Sequence, residues 1–319
     1  MSNSIVVTGA AGMVGSHLVE RLIARDIPVV AIDNFNDYYD PCQKRRNVAG
    51  FEKHPRVTMA EVDIRDTGAI MGLFEKHKPR AVAHLAAMAN VRYSIGRTPL
   101  YTEVNINGSV NLLEGARLNG TGTFVFASTS SVYGNTAVLP FVETDACNQP
   151  LSAYPASKKA IEMIGYTYHN LHQMNFTALR FFSVYGPRAR PDMMPYMTTD
   201  GIVHDKAITL FDAGRMKRDW TFVGDIAAGV EAALDRPLGY EIINLGRGEP
   251  VLMADFVRIV EELVGKKARL ETPAAPASEL KINFASIDKA RKLLGYHPTT
   301  DVRTGMTRLW EWYQHEYVK

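Results

Sequence analysis

Ile5-Val6-Val7-Thr8-Gly9-Ala10-Ala11-Gly12-Met13-Val14-Gly15 is the part of this chain that points most directly to a fold. Its first four residues are typical of a buried strand, its glycines have a GxxGxxG spacing, and a helical pattern over 13–24 follows. Glycines permit a tight turn and a close backbone approach, so a pyrophosphate can lie against the free N–H groups at the positive end of the helix. The stretch therefore predicts the start of a dinucleotide-binding βαβ unit.

The first half of the chain repeats this alternation of strand and helix. Strands buried on both faces are predicted over 28–33, 57–61, 80–85 and 123–127, and helices over 67–77 and 99–118. Such an alternation is typical of an α/β fold with a doubly wound parallel (Rossmann) sheet. After about residue 180, prolines separate shorter elements, which predicts a smaller and less regular region that supplies a pocket wall.

The composition excludes several classes of protein. The 319 residues are 46% hydrophobic and 22% charged, as in ordinary globular chains, and a net charge of +2 provides no field for nucleic acid or a membrane. The longest apolar run, 81–91, is shorter than the roughly 18 residues that span a bilayer. Cys42 and Cys147 lie far apart and the histidines lack metal-ligand spacing, so we expect neither a disulfide framework nor a metal. The amino terminus lacks the pattern of an export signal, which predicts a cytoplasmic protein.

Three charged features follow the first strand and helix. The second strand ends at Asp33, 24 residues after Gly9, where a carboxylate accepts hydrogen bonds from a ribose 2′-hydroxyl and repels a 2′-phosphate. This favours NAD over NADP. Asp63-Ile64, after the third strand, either flanks the adenine or provides a cap through Asp63. The basic run 44–46 is interpreted as a solvated face or a local anion contact.

Tyr154 and Lys158 are the candidate catalytic pair. At positions i and i+4 they share one face of a predicted helix, and Pro155 fits its first turn, where the missing N–H costs nothing. A phenol with a pKa of about 10 is a poor base at neutral pH, but the Lys158 ammonium and a nicotinamide cation would favour its ionised form. Tyr154 is therefore a candidate general base. The hydroxyls of 128–131, at a strand end, either meet a sugar hydroxyl or form only a turn.

Taken together, these residues resemble the extended short-chain dehydrogenase/reductase family, and within it the NAD-dependent nucleotide-sugar epimerases. The resemblance covers essentially the whole chain, and its motifs are the glycine stretch, 84–87, 105–108, 111–114, the Thr129 region, Tyr154 with Lys158, 180–187, 218–225 and 293–296. Three further stretches, 36–41 with 44–45, 91–94 and 190–193, look closest to UDP-glucuronate 4-epimerases.

The resemblance implies an isomerase that binds NAD and epimerises a UDP-sugar at C4 through a transient 4-keto intermediate, most closely UDP-glucuronate to UDP-galacturonate. It also implies an NAD-binding Rossmann domain over 1–182 and 216–246, a nucleotide-sugar-binding domain over 183–215 and 247–319, and a homodimer joined through the helices around 99–118 and 154–172. Two alternatives stay open. One is a UDP-glucose or UDP-N-acetylhexosamine 4-epimerase; the other is a dinucleotide-sensing protein that has lost the activity, against which the intact Thr129, Tyr154 and Lys158 argue.

The resemblance also assigns the site residues. Thr129, Tyr154 and Lys158 are catalytic; Arg218 matches a diphosphate-binding arginine, and Arg190 with Ser183 matches the residues that meet the substrate carboxylate, a partner that suits a planar guanidinium. The predicted cofactor-binding residues are Gly9, Gly12, Met13, Val14, Gly15, Asp33, Asn34, Asp63, Ile64, Leu85, Ala86, Ala87, Asn105, Ser128, Tyr154, Lys158, Phe181 and Val184. The predicted substrate-binding residues are Arg92, Thr129, Ser130, Ser131, Tyr154, Ser183, Arg190, Arg218 and Glu279.

Departures from the family pattern bear on the substrate and on the reaction. UDP-glucose epimerases usually carry an arginine before a Gly-Asp pair, whereas 276–279 has none, so only Glu279 remains there for the uridine ribose. Pro155 replaces the usual Gly or Ala. Dehydratases resemble one another in an Asp-Glu pair directly after the catalytic Thr, and decarboxylases carry a Glu, but this chain has Ser130-Ser131. Without a carboxylate there for elimination, return of the hydride to the opposite sugar face is the remaining outcome, which predicts epimerisation.

Overall fold

A seven-stranded parallel sheet forms the centre of the computed structural model, which describes residues 3–136, 138–275 and 281–318. The strands of the described residues are β1 (Ile5–Thr8), β2 (Val29–Asp33), β3 (Val57–Glu61), β4 (Ala81–His84), β5 (Thr123–Thr129), β6 (Asn175–Phe181), β7 (Ser183–Tyr185), β8 (Ala207–Thr209), β9 (Lys217–Phe222), β10 (Tyr240–Leu245), β11 (Pro250–Leu252), β12 (Arg269–Glu271) and β13 (Ile282–Asn283).

Helices of the described residues precede or follow most of these strands. They are α1 (Met13–Ala24), α2 (Pro41–Val48), α3 (Thr67–His77), α4 (Thr98–Tyr101), α5 (Gly108–Leu118), α6 (Ala153–His172), α7 (Met194–Val203), α8 (Val223–Leu234), α9 (Met253–Val264), α10 (Asp288–Leu294) and α11 (Val302–Tyr317). A π-helical segment, Thr102–Asn107, joins α4 to α5, and 3-10 helices cover Ser130–Tyr133 and Phe211–Gly214.

The large sheet has the strand order β10-β6-β5-β4-β1-β2-β3, and every neighbouring pair is parallel. Its interior strand β1 has a hydrophobic core on each face, with Ile5 and Val7 in one core and Val6 in the other. Helices that cross over between parallel strands cover both faces of such a sheet. The predicted α/β fold with a doubly wound parallel sheet is therefore confirmed.

Several predicted elements have the bounds that the sequence indicates. α1, α3 and β3 begin and end at the predicted residues, while β5 continues two residues further than predicted, to Thr129. The helix predicted over 99–118 is present as α4, the π-helical segment and α5. The prediction that β3 is buried on both faces is wrong, because it is the edge strand of the sheet and none of its residues is fully buried.

A second, smaller sheet is built around β9. β7 and β13 pair with β9 in parallel and β11 pairs with it antiparallel, while β8 and β12 form a separate parallel pair. The sequence places 216–246 with the NAD-binding domain. β10 joins the large sheet, but β9 belongs to the smaller one. The chain therefore passes from the smaller sheet to the large sheet within this range, through α8, which packs on α1.

Side-chain caps define where several helices begin. The carboxylates of Asp40, Asp66 and Asp301 each accept a backbone N–H in the first turn, at the starts of α2, α3 and α11 respectively. α6 ends at His172, and the next residue, Gln173, adopts a left-handed conformation. Within the described ranges, no helix has both the length and the apolar character that a membrane span needs.

A buried ion pair fixes α6 to the large sheet. Arg180 of β6 donates from Nε and Nη2 to the Glu162 carboxylate of α6 at 2.9 and 2.8 Å, and Ser128 Oγ donates to the same carboxylate at 2.7 Å. Both charged side chains are fully buried. Burial alone would raise the pKa of Glu162, but the hydrogen bonds and the charge of Arg180 keep it below its ordinary value. The ion pair thus holds α6 across the ends of β5 and β6.

Arg180→Met is expected to lower the free energy of unfolding by about 3–5 kcal/mol, because it leaves the Glu162 carboxylate buried without its main cation. The measurement is urea unfolding followed by circular dichroism. Arg56→Met is the matched control, since Arg56 forms a similar two-bond pair with Asp26 at 2.7 and 2.6 Å, but on the surface. The control is expected to lose at most about 1 kcal/mol, and an equal loss in both variants would contradict the role of the buried pair.

Candidate active site

A cavity of about 480 Å³ opens at the carboxyl ends of β1, β2, β4 and β5, the edge at which open parallel sheets bind their ligands. Its lining also takes residues from α6, from β7 and from the segments that follow β4 and β7. The predicted site residues that line it are Gly9, Gly12, Met13, Val14, Gly15, Asp33, Asn34, Asp63, Ile64, Leu85, Ala86, Ala87, Ser128, Thr129, Tyr154, Lys158, Phe181, Ser183, Val184 and Arg190.

Gly9 and Gly15 let the backbone of the first turn approach its neighbours closely. Gly9 has a φ of +67°, and a Cβ there would lie 2.8 Å from Ala86 N. A Cβ on Gly15 would lie 2.0 Å from Gly9 O. Within the described part of the chain, no side chain caps the start of α1 at Gly12. The first N–H groups of α1 are therefore available to an anion, which fits the pyrophosphate of a dinucleotide.

Asp33 lies on the cavity wall at the end of β2. Its Oδ2 accepts the Ala11 N–H at 3.0 Å, and its Oδ1 accepts the Phe35 N–H at 2.9 Å. Each carboxylate oxygen can accept a further hydrogen bond, so the fixed, buried carboxylate fits a ribose hydroxyl. Its negative charge opposes a 2′-phosphate. The residues present therefore fit NAD.

Asp63 lines the cavity, as a contact with adenine requires, but it is not the cap of α3, which is Asp66. Its Oδ1 accepts the Arg65 N–H at 2.8 Å within the turn that precedes this helix. Its Oδ2 accepts from Asn34 Nδ2 at 2.8 Å. Hydrogen bonds from the Arg65 side chain lower the pKa of Asp63 to about 2, so it is a carboxylate at neutral pH.

Lys44 is a cavity residue that the sequence analysis does not assign. Its Nζ donates to the Asn36 backbone O and Oδ1 at 3.0 and 2.8 Å and lies 4.0 Å from Asp33 Oδ1. Burial lowers the pKa of Lys44. The interpretation of 44–46 as a solvated face is wrong for Lys44, although the two arginines after it are exposed. Helical spacing is the sequence signal for the burial of Lys44. Lys44 and the apolar Val48 lie one turn apart on the same face of α2, and Val48 is also buried.

The three predicted catalytic residues meet where β5 ends and α6 begins. Thr129 is the last residue of β5, and it forms a hydrogen bond with Tyr154 in the first turn of α6. Lys158 lies one turn later, and its buried Nζ donates to the Ala127 carbonyl oxygen of β5 at 2.8 Å. Pro155 lies in the first turn of α6, as predicted. The Thr129 hydroxyl and the Tyr154 phenol are thus adjacent on the cavity wall.

Burial and neighbouring groups shift the pKa values of Tyr154 and Lys158. Burial raises the pKa of Tyr154, while the hydrogen bond with Thr129 and the charge of Arg190 act in the opposite direction. Burial also lowers the pKa of Lys158 to about 7. Lys158 Nζ is bonded to Ala127 O, so an action of its ammonium on the Tyr154 phenolate stays a prediction.

Arg190 lines the cavity and already has a carboxylate partner. Its Nε and Nη2 donate to Asp192 Oδ1 and Oδ2 at 2.9 and 3.2 Å. Tyr38 Oη and Asn90 Nδ2 also donate to Asp192 Oδ2, at 2.8 and 2.7 Å. Tyr38 and Asp192 belong to stretches that carry the family resemblance, but no sequence signal shows that these stretches meet. Ser183, at the start of β7, lines the same cavity.

Five of the predicted site residues that the structure describes do not line the cavity. Asn105 lies behind the wall, where its Nδ2 donates to Met88 O and Ser157 Oγ at 3.0 and 2.9 Å. Ser130 and Ser131 lie in the 3-10 helix after Thr129, and the Ser131 N–H donates to Thr129 Oγ1 at 3.1 Å. The exposed Arg92 lies over the ring of Phe211, and Arg218 of β9 donates to Lys217 O at 2.9 Å. Glu279 lies outside the described residues.

Known proteins share both the sequence pattern and the geometry. The chain is 41% identical to UDP-glucuronate 4-epimerase 3 of Arabidopsis thaliana, with 97% of this chain and 76% of that protein aligned. It is 39% identical to the UDP-glucuronate 4-epimerase of Thermodesulfobacterium geofontis, over 96% of this chain and 95% of that one. The solved UDP-glucuronic acid 4-epimerase of Bacillus cereus, in complex with UDP-glucuronic acid and NAD, superposes with a TM-score of 0.91 at 33% identity, over 98% of this chain and 100% of that chain.

The family is defined by a sequence model that covers most of the chain. The NAD dependent epimerase/dehydratase model matches residues 5–246, from the first residue of β1 to just beyond β10. This range contains the glycine turn, Asp33, Thr129, Tyr154, Lys158 and Arg190. Because the match covers most of the chain and includes both the glycine turn and Tyr154, this chain belongs to the NAD dependent epimerase/dehydratase family.

Proposed function

We propose that this chain is an NAD-dependent UDP-glucuronate 4-epimerase that interconverts UDP-glucuronate and UDP-galacturonate. The observation that carries the proposal is that one cavity is lined by the glycine turn, by Tyr154 bonded to Thr129, and by the guanidinium of Arg190. A carboxylated sugar explains a guanidinium beside the catalytic tyrosine better than a neutral sugar does. The names of the relatives from Arabidopsis thaliana, Thermodesulfobacterium geofontis and Bacillus cereus support the same substrate.

The dinucleotide end of the cavity would hold NAD through the backbone of 9–15 and the Asp33 carboxylate. When bound, NAD supplies reversible two-electron oxidation and reduction at sugar C4. Leu85, Ala86 and Ala87, which follow β4, and Val184 of β7 provide largely apolar walls that limit the access of water to this end. Exclusion of water protects a reactive ketone from side reactions.

Tyr154 moves the proton. Its Oη takes the proton from the sugar 4-hydroxyl during oxidation and returns it during reduction, and Thr129 orients the phenol and the hydroxyl. Because burial raises the pKa of Tyr154, the nearby positive charge of Arg190 helps to form the phenolate. Lys158, with a pKa of about 7, can gain or lose a proton near neutral pH while its Nζ holds α6 to β5.

Arg190 and Ser183 hold the substrate carboxylate. Oxidation of glucuronate at C4 gives a β-keto acid. Such an acid loses carbon dioxide when the bond between C5 and the carboxylate carbon lies parallel to the π orbitals of the ketone. A guanidinium that fixes the carboxylate away from this alignment preserves the six-carbon sugar while the ring turns about its diphosphate link. Ser130 and Ser131 carry no carboxylate for elimination, in agreement with epimerisation as the outcome.

The other assignments stay predictions. They comprise diphosphate binding by Arg218, sugar contacts of Arg92, Ser130 and Ser131, ribose binding by Glu279 and cofactor binding by Asn105. The division into an NAD-binding domain over 1–182 and 216–246 and a nucleotide-sugar-binding domain over 183–215 and 247–319 is also a proposal, as is a cytoplasmic location. The change of sheet between β9 and β10 argues for moving the second NAD-binding segment to begin after β9.

The purified chain is expected to convert UDP-glucuronate to UDP-galacturonate with a kcat/KM at least about tenfold above that for UDP-glucose, because a charge-assisted bond to Arg190 is lost with the neutral sugar. Products are separated by anion-exchange chromatography. Tyr154→Phe serves as the catalytic control and is expected to lower kcat by roughly 10²–10⁴-fold without loss of NAD binding. Equal kcat/KM values for the two sugars would instead support the neutral-sugar epimerase, and unchanged turnover of Tyr154→Phe would remove the assigned base.

Arg190→Ala is expected to lower kcat/KM for UDP-glucuronate by roughly 10- to 100-fold and to release a decarboxylated pentose product, because the carboxylate is no longer fixed. Arg190→Lys keeps the charge but loses the two-pronged geometry, so an intermediate product ratio is expected. Arg56→Ala, a surface change, is the control. Nuclear magnetic resonance of the sugar products gives the ratio, and a wild-type ratio in Arg190→Ala would contradict the role.

We also propose that the chain forms a homodimer through α5 and α6. Four large side chains on these helices are exposed: Leu118 (61%), Met163 (63%), Tyr166 (52%) and Leu171 (69%). Exposed apolar side chains on neighbouring helices are typical of subunit interfaces. Light scattering should give the mass of two chains, and Met163→Glu should shift it towards one; a wild-type monomer would refute the dimer.

A further inference from the structure

The Asp192 carboxylate holds the guanidinium of Arg190, which lines the cavity. Arg190 lines the cavity, and the described lining does not include Asp192, which receives the Nε and Nη2 bonds of Arg190. A guanidinium has five N–H donors in a rigid plane, and Asp192 occupies the edge formed by Nε and Nη2. The end formed by Nη1 and the second Nη2 hydrogen is left for another acceptor. The geometry therefore suits one carboxylate from the protein and one from a ligand.

The position of Asp192 is fixed by three separate segments. Tyr38 belongs to the segment between β2 and α2, Asn90 to the segment after β4, and Arg190 with Asp192 to the segment after β7. Tyr38 and Asn90 both donate to Oδ2, the oxygen that also receives Arg190 Nη2. Asn90 is itself held, since its backbone O accepts from Tyr101 Oη at 2.8 Å. A carboxylate with this many donors has a defined orientation and transmits it to its guanidinium partner.

The charges agree with this arrangement. Burial alone would raise the pKa of Asp192, but the charge and hydrogen bonds of Arg190 keep it below its ordinary value, so Asp192 is ionised at neutral pH. Burial and the hydrogen bond to Asp192 raise the pKa of Tyr38 to about 12, so Tyr38 stays a donor. The side chains of Arg190 and Asp192 are 23% and 28% exposed, low enough for the pair to be more than a solvated surface contact.

We infer that Asp192 is a positioning residue for catalysis. Tyr38 and Asn90 hold Asp192, and Asp192 in turn fixes the guanidinium of Arg190. The remaining N–H groups of Arg190 then donate to the substrate carboxylate and hold it in an orientation that prevents the loss of carbon dioxide. Asp192 touches neither substrate nor cofactor and acts only through Arg190. This inference rests on the proposed function, and it deepens it by naming what sets the geometry of the carboxylate contact.

The test is a double-mutant cycle of Asp192→Asn and Arg190→Ala with UDP-glucuronate. Asp192→Asn leaves the guanidinium in place but loosely held, so kcat is expected to fall roughly tenfold with KM changed less than about threefold, and the pentose fraction of the product is expected to rise. In the Arg190→Ala background, the same substitution is expected to change kcat and the pentose fraction by less than about twofold, because the residue through which Asp192 acts is gone.

Asp26→Asn is the matched control, since Asp26 receives two bonds from Arg56 on the surface, in the same Nε and Nη2 geometry. It should leave kcat, KM and the product ratio at wild-type values. Activities are expressed per folded molecule, measured by circular dichroism. Should Asp192→Asn fold poorly, Tyr38→Phe replaces it in the cycle, because this change removes one hydrogen bond and keeps the charge of Asp192; a smaller effect that also vanishes with Arg190→Ala is expected.

Effects of Asp192→Asn and Arg190→Ala that multiply independently would overturn the inference, as would a folded Asp192→Asn with wild-type kcat and product ratio. Failure of the proposed function has a different signature. In that case the wild-type chain itself does not convert UDP-glucuronate, whereas failure of the inference leaves wild-type turnover of UDP-glucuronate and its dependence on Arg190 intact.

Discussion

The attachment of α6 to the carboxyl end of β5 is the constraint on which the rest of the site depends. Lys158 Nζ donates to Ala127 O, and one residue further along β5 the Ser128 hydroxyl donates to Glu162, one turn beyond Lys158. These two bonds, together with the Glu162–Arg180 pair, fix the helix along its length relative to the strand. Tyr154, at the start of the helix, is thereby brought to Thr129, at the end of the strand. Neither residue needs a flexible loop to reach the other.

Burial makes the charged forms of both Tyr154 and Lys158 harder to form. A buried phenol resists ionisation and a buried ammonium resists protonation, so Tyr154 and Lys158 both titrate away from their ordinary ranges. The positive charge that opposes the effect on Tyr154 comes from Arg190, in a different segment of the chain. Arg190 is in turn paired with Asp192. One guanidinium therefore acts on the tyrosine while a carboxylate of the protein holds it in place.

The two ends of the cavity are built differently. The dinucleotide end consists of strand ends and the first turn of α1, where backbone positions are fixed by the sheet and by the close contacts of Gly9 and Gly15. The sugar end consists of side chains from separate connecting segments, held together by hydrogen bonds around Asp192. A shared scaffold with variable connecting segments lets one fold serve several sugars. The substrate preference is accordingly expected in the segments rather than in the sheet.

The amino-acid sequence by itself determined the parallel sheet, the glycine turn, Asp33 and the Thr129, Tyr154 and Lys158 group, because each of these depends on spacing within one local unit or on the carboxyl edge that all parallel strands share. Only the tertiary structure decided that Lys44 is buried beside Asp33, that the positive charge of Arg190 acts on Tyr154, and that Tyr38, Asn90 and Asp192 meet. Tyr38 lies 154 residues from Asp192 and Asn90 lies 102 residues from it, so no local pattern records their contact. Such contacts arise from how connecting segments fold over the sheet edge, and hydrophobic periodicity carries no information about that.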